Sequence, residues 1–243
     1  MNHSNVFRKS LLGTAVAVAM APLSATAEPI SIAGGEISGS AEAATYYLWR
    51  GSNESNGAGA ISGSLDYEHD TGLYAGAWVS SATEELEMNF YGGFAGEAGG
   101  FSYDLGAVQY RFTRGGFSRM GEDDDGDPIQ LPRARQGADF QEFYVLLGYG
   151  GFGIEGWFGF GEVGGTDMDV DDNYYALTYD YDRFGAVVGL YDFDDEDSEY
   201  THLDLSYEIY DGLTFTYTKI IDQETEGALD TTPALHVAYA FEF

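Results

Sequence analysis

His202-Leu203-Asp204-Leu205-Ser206-Tyr207-Glu208-Ile209 alternates without a break: polar side chains at the even positions, Leu, Leu, Tyr and Ile at the odd ones. A β-strand sends successive side chains to opposite faces, so this stretch has one polar and one apolar face. The same period recurs at Ile61, Gly63, Leu65 and Tyr67 against Ser62, Ser64, Asp66 and Glu68. It recurs at Leu86, Met88, Phe90 and Phe94 against Glu85, Glu87, Asn89 and Tyr91. The closing stretch sets Leu235, Val237, Tyr239, Phe241 and Phe243 against His236, Ala238, Ala240 and Glu242. Twelve such segments can be counted, near 37–50, 60–69, 73–81, 86–95, 101–112, 139–149, 152–161, 173–181, 184–192, 200–209, 213–221 and 234–243.

The connections between segments decide the architecture. Asp70-Thr71-Gly72, Gly96 to Gly100, Gly150-Gly151, Asp182-Arg183 and Asp211-Gly212 are tight turns. The alternate connections, 51–59, 113–138, 162–172, 193–199 and 222–233, are longer and mostly acidic, with 82–85 the one short exception. Short turns at one end, long loops at the other and an even strand count are the plan of an outer-membrane barrel. Hydrocarbon offers no partners to exposed backbone groups, so such a sheet must close on itself. The expected fold is therefore all-β: a closed antiparallel transmembrane β-barrel of about 12 strands with up-and-down topology. A water-soluble sandwich gives no reason for loop lengths to segregate by end.

Composition excludes several other classes. The 243-residue chain has no Cys, which removes disulfide scaffolds, thiolate zinc sites and cysteine nucleophiles. A net charge of −31 argues against nucleic acid, whose binding needs a basic surface. Hydrophobic residues at 44% and aromatics at 16% are too many for acidic disorder. At the start, Arg8 and Lys9 precede the apolar run Leu11 to Met20, and Ala25-Thr26-Ala27 follows. This order is that of a secretory signal peptide, so 1–27 is expected to be cleaved after Ala27, leaving a barrel domain over 28–243. The run is too short for a spanning helix. The expected localisation is the Gram-negative cell outer membrane.

Aromatic clusters fit this plan. Tyr46, Tyr47 and Trp49 fall at the upper end of the first segment, Tyr174, Tyr175, Tyr179 and Tyr181 flank the eighth, and Phe158 and Phe160 close the seventh. Amphipathic rings at strand ends form interfacial girdles. The terminal Phe243 shares a face with Phe241 and Tyr239, as in the C-terminal strand through which the barrel-assembly machinery receives its clients. Residues 46–112 also carry a family resemblance. Trp49-Arg50-Gly51 leads into a polar loop; Ser64-Leu65-Asp66-Tyr67-Glu68-His69 and Asp70-Thr71-Gly72-Leu73-Tyr74-Ala75-Gly76-Ala77-Trp78 follow; then comes Leu86-Glu87-Met88-Asn89-Phe90-Tyr91-Gly92-Gly93. This stretch resembles the TorF-type porin family of Gram-negative bacteria. The resemblance implies an outer-membrane location and a pore, and it implies no functional residues.

Other motifs carry little chemistry. Gly151-Phe152-Gly153-Ile154-Glu155-Gly156 matches a dinucleotide-binding pattern but runs into Trp157-Phe158-Gly159-Phe160, a strand where that motif needs a helix. Loops 113–138, 162–172, 193–199 and 222–233 hold 19 of the 41 Asp and Glu. Asp123 and Asp125, and Asp167, Asp169 and Asp171, are candidate weak ligands for a divalent cation, though neither group fits the calcium loop of an EF-hand. A solvated, acidic outer surface explains them as well. Arg114, Arg119, Arg133 and Arg135 share the 113–138 loop with the first acidic group, so this loop pairs with its own acids, folds inward, or meets lipopolysaccharide phosphate. His202 and His236 fall on polar faces, but no Ser/His/Asp set comes together, so no enzyme and no cofactor is expected.

If the apolar face meets lipid, the polar face lines the interior. That assigns Glu42, Asp66, Glu68, Glu87, Glu142, Glu155, Asp180, Asp204 and Glu208 to the lumen, with Arg50 and Arg111 as its bases and His202 and His236 beside them. A wall so rich in carboxylates focuses a negative potential and favours cations over anions. Both parities carry apolar residues in strands 1, 5, 9 and 11. Twelve strands make a narrow bore, which the 113–138 loop is long enough to block. The expected function is a porin-like channel for passive diffusion of small polar, cationic or neutral solutes. The alternative is a closed barrel with an acidic cation- or lipopolysaccharide-binding surface and no transport role.

Overall fold

The computed structural model describes residues 29–55, 57–81, 86–113, 118–122, 128–132, 139–162, 170–193, 198–225 and 229–243. The expected leader 1–27 lies outside them. Twelve long strands run in sequence order around a closed antiparallel sheet. They are β1 (Gly35–Ala44), β2 (Ala60–His69), β3 (Leu73–Ser80), β4 (Glu87–Ala98), β5 (Phe101–Phe112) and β6 (Phe140–Tyr149). The second half comprises β7 (Phe152–Gly159), β8 (Asn173–Tyr181), β9 (Phe184–Asp192), β10 (Tyr200–Tyr210), β11 (Leu213–Gln223) and β12 (Ala234–Glu242). Each strand pairs with its neighbours in the chain, and β12 pairs with β1 from Ala238↔Ala44 to Glu242↔Ser40. The ring is complete, so no strand edge of the barrel is left open.

Three short pieces sit outside the ring. Ile30–Ile32 pairs with the start of β1, Leu48–Trp49 pairs with Ser52–Asn53, and Ser118–Glu122 pairs with Pro128–Pro132 in a hairpin between β5 and β6. The first strand ends at Ala44, six residues earlier than the alternation suggests. The tight turn after β4 is shorter than expected, because both strands continue to Gly99-Gly100, each with positive φ. No helix among the described residues is long and apolar enough to cross a membrane, a statement that leaves strands untouched.

The two faces separate as the period demands. Leu65, Phe90, Leu105, Leu147, Ile154 and Leu177 all point outward and are well exposed. Registered partners share a face in an antiparallel ladder, and Leu105↔Phe94, Phe143↔Phe158 and Phe152↔Tyr179 carry the apolar character of the outer face from strand to strand. Its rings gather in two belts. Phe101 stacks on Tyr149 and Phe152 meets Tyr179 at the tight-turn end; Phe143 stacks on Phe158, which meets Tyr175, at the long-loop end. Such aromatic pairs each add about 0.5–1.5 kcal/mol beyond burial. Phe243 lies over Gly39 and exchanges backbone hydrogen bonds with it at 2.7 and 2.8 Å, which seals the seam at the chain's end.

The inner face explains the unusual wealth of Gly and Tyr. A Cβ at Gly76, Gly93, Gly106 or Gly189 would overlap the side chain of Tyr91, Tyr74, Tyr144 or Tyr174. Each of these large rings lies across a lumen-facing glycine on a neighbouring strand, so a narrow barrel accommodates aromatic side chains inside. Hydroxyls among them then reach acids two strands along the wall: Tyr74 donates to Asp104 at 2.6 Å and also bonds Tyr144, and Tyr91 donates to Asp66.

Candidate functional site

The residues at the heart of the lumen come from a loop. After β1 the chain turns inward, and Leu48–Trp49 and Ser52–Asn53 form a small hairpin with Arg50-Gly51 as its two-residue turn. Both turn residues have positive φ, 48° at Arg50 and 80° at Gly51, the backbone that a two-residue hairpin of this hand requires. Glycine adopts it freely; at arginine it is held against a steric cost. Ser55 braces the base of the hairpin, accepting from Tyr47 N at 2.8 Å and donating to Ala58 O at 2.7 Å. The tip inserts among the strands: Leu48 is 0% and Arg50 2% exposed, and Tyr46 and Tyr47 are buried.

Arg50 is held on every side. Its Nη1 and Nη2 donate to Glu142 Oε1 and Oε2 at 2.8 and 2.7 Å, a bidentate pair in which Glu142 is 1% exposed. Tyr110 adds a third hydrogen bond to Glu142 at 2.9 Å. The guanidinium carbon lies 4.5 Å from the ring centre of Tyr174, 4.8 Å from Trp49, 4.9 Å from Tyr191 and 5.5 Å from Trp157. Burial opposes its charge most strongly, but Glu142 together with Tyr191 and Tyr110 offsets this and holds its pKa well above the usual value. The backbone is docked as well. Tyr200 donates to Arg50 O at 3.0 Å, Thr218 to Gly51 O at 3.3 Å, and His236 Nε2 lies 3.1 Å from Tyr46 O.

A polar wall continues beside this seat. Tyr174 OH meets His202 Nε2 at 2.9 Å, and His202 Nδ1 lies 3.1 Å from Asp204 Oδ2. Trp157 Nε1 donates to Glu155 at 3.2 Å, and Asn89 donates to Glu87 at 2.8 Å. Glu208 accepts from Gly212 N at 2.9 Å near the tight-turn end. The Asp204 carboxylate and the hydroxyls of Tyr46, Thr214 and Thr216 are buried without a hydrogen bond among the described residues. Tyr46 has its pKa pushed up to about 12 by burial and, secondarily, by the charge of Asp204.

Most of the expected lumen residues do face inward. Glu42, Asp66, Glu68, Glu87, Glu142, Glu155, Asp180, His202, Asp204, Glu208 and His236 all lie at inward positions of their strands. Arg50 is inside too, but as the tip of a loop and not as part of the wall. Arg111 is a correction. It pairs in register with Met88 on the outer face, is 55% exposed, and meets Asp139 at 3.4 Å near the loop end of β5. In β5 both parities carry apolar side chains, and Val108 and Tyr110, not Arg111, face the lumen. The girdle reading also needs correcting at Tyr46, Tyr47 and Tyr174, which are buried inside. Asp123, Asp125, Asp167 and Asp169 lie outside the described residues; Asp171 is exposed, and no metal-binding group of His, Asp and Glu occurs among the described residues.

Comparison with known families reaches the first part of the chain. Residues 27–126 match a family model described as a bacterial protein of unknown function, Gcw_chp. The match spans β1 to β5 and therefore the Tyr46–Gly51 segment, while Glu142 lies beyond it. It does not confirm the TorF-type porin family that the motifs resemble. No curated protein matches the chain.

Proposed function

We propose that this protein is an outer-membrane barrel of the channel type whose lumen is closed at rest by its first long loop. The observation that carries this reading is Arg50, seated bidentately on Glu142 in the middle of a ring of wall aromatics. The outward apolar face with its two aromatic belts supports membrane insertion, because a freely dissolved barrel would carry that surface at a heavy solvation cost. The wall favours cationic or neutral polar solutes once the loop withdraws, because its inward charges are almost all carboxylates. Under this reading the long-loop end faces outward to lipopolysaccharide, and the β12 end ending at Phe243 serves recognition by the assembly machinery. No chemical step is assigned: the His202–Asp204 pair is enclosed in the lumen, and His202 Nε2 is taken up by the phenol hydroxyl of Tyr174.

Planar-bilayer recordings test the proposal. Refolded wild type should be mostly silent, whereas Arg50→Ala should open a small cation-selective conductance. A wild type with a steady large conductance would contradict closure. A variant as silent as wild type would select the second reading, a permanently closed barrel, which the same packed lumen favours.

A further inference from the structure

The seat of Arg50 is built by parts that do not depend on Arg50. Glu142 stands on β6, Tyr110 on β5, Trp157 on β7, Tyr174 on β8 and Tyr191 on β9, five adjacent strands fixed by their own backbone ladders. The guest arrives on a two-residue turn whose backbone accepts hydrogen bonds from Tyr200 and Thr218 on the wall and whose base is braced by Ser55, which accepts from Tyr47 N. Withdrawing the turn would therefore leave a preformed cavity of one bidentate carboxylate and several aromatic faces. That combination is what a planar, delocalised cation requires: in-plane donors to a carboxylate and π-faces above and below.

The charge balance points the same way. Arg50 meets Glu142 one to one, both carboxylate oxygens being taken by the two prongs of a single guanidinium.

We infer that the lumen contains a binding site for small guanidinium-bearing cations, which Arg50 occupies as a tethered internal ligand in the closed state. This rests on the closed-barrel reading above and adds to it what displaces the loop. A tethered competitor acts at an effective concentration in the millimolar range, so wild type should respond to a soluble ligand only at comparable concentrations.

Agmatine, which carries a guanidinium and an ammonium group, is the probe, with 1,4-diaminobutane as the counterpart lacking the planar fork. Titration calorimetry on refolded Arg50→Ala in detergent should show saturable agmatine binding about tenfold or more tighter than wild type. The diamine should bind Arg50→Ala more weakly than agmatine does. Adding Glu142→Gln to Arg50→Ala should weaken agmatine binding by about tenfold or more. Gly51→Val provides a second route, since its side chain would overlap His202 and expel the turn with Arg50 still present; it too should gain agmatine binding. Absence of saturable binding in both variants, or binding indifferent to Glu142→Gln, overturns the inference. If neither variant folds, wild type decides: millimolar agmatine must raise its open time in bilayers, and indifference overturns the inference. Wild-type conductance without ligand reports on closure alone, so failure of that reading is seen separately.

Discussion

Gly51 lies directly against His202, and a Cβ at residue 51 would overlap that ring. The contact joins the tip of the inserted hairpin to β10 on the wall, beside the hydrogen bond from Thr218 to Gly51 O. Gly51→Ala should therefore loosen the hairpin through two effects at once, a steric overlap and a side chain at φ 80°. The expected loss is about 1–3 kcal/mol of local stability, with the barrel itself intact. Hydrogen exchange should show faster amides across 46–55 and unchanged protection in β6 to β9; uniform loosening of the sheet would refute this.

Arg50 and Glu142 form a buried pair, so removing one partner leaves the other charge uncompensated. Glu142→Gln alone should destabilise the closed state by about 3–5 kcal/mol. Arg50→Met combined with Glu142→Leu should cost much less than the two single changes together. A double-mutant cycle on urea unfolding in detergent measures the coupling, and additive effects would show that the pair contributes nothing.

The outer face separates a membrane barrel from a dissolved one by depth. Leu177, near the middle of β8 and 62% exposed, should cost about 2–4 kcal/mol when changed to Arg in lipid-bilayer refolding. Leu73, at the tight-turn end of β3, should cost about 0–1 kcal/mol for the same change. In a water-exposed sheet both would stay within about 0.5 kcal/mol, so equal and negligible effects would argue against insertion.

Phe243 closes the seam by packing its ring over Gly39 and pairing with its backbone. Phe243→Ala should lower the temperature at which the folded band is lost on unheated gels, through about 1–2 kcal/mol of lost contact, because the ring is half exposed. Gly39→Val should do the same from the other side, since its Cβ would come within 2.8 Å of the ring. No change in either variant would mean that the seam is held by the ladder alone.

The barrel was legible in the chain because its cause is local. Alternation at period two, as in 202–209, assigns every side chain a face, and turn lengths assign every connection an end. Membership of the lumen therefore followed for Glu142, Asp204 and His236 without any knowledge of contacts. Arg111 went to the wrong face because β5 offers apolar side chains on both, and only the register Met88↔Arg111 resolves it.

The inserted hairpin was not legible in the same way: the 113–138 loop was the segment long enough to block the bore, while the described residues place the hairpin Leu48–Asn53 inside the lumen. Leu48-Trp49-Arg50-Gly51-Ser52 carried one signal, a glycine at the second position of a two-residue turn, but it reads equally as the continuation of a strand. Periodicity settles which way a residue points because it depends on neighbours one and two positions away. Where Arg50 comes to rest depends on Glu142, 92 positions along the chain, and on rings from four further strands that meet only once the sheet has closed.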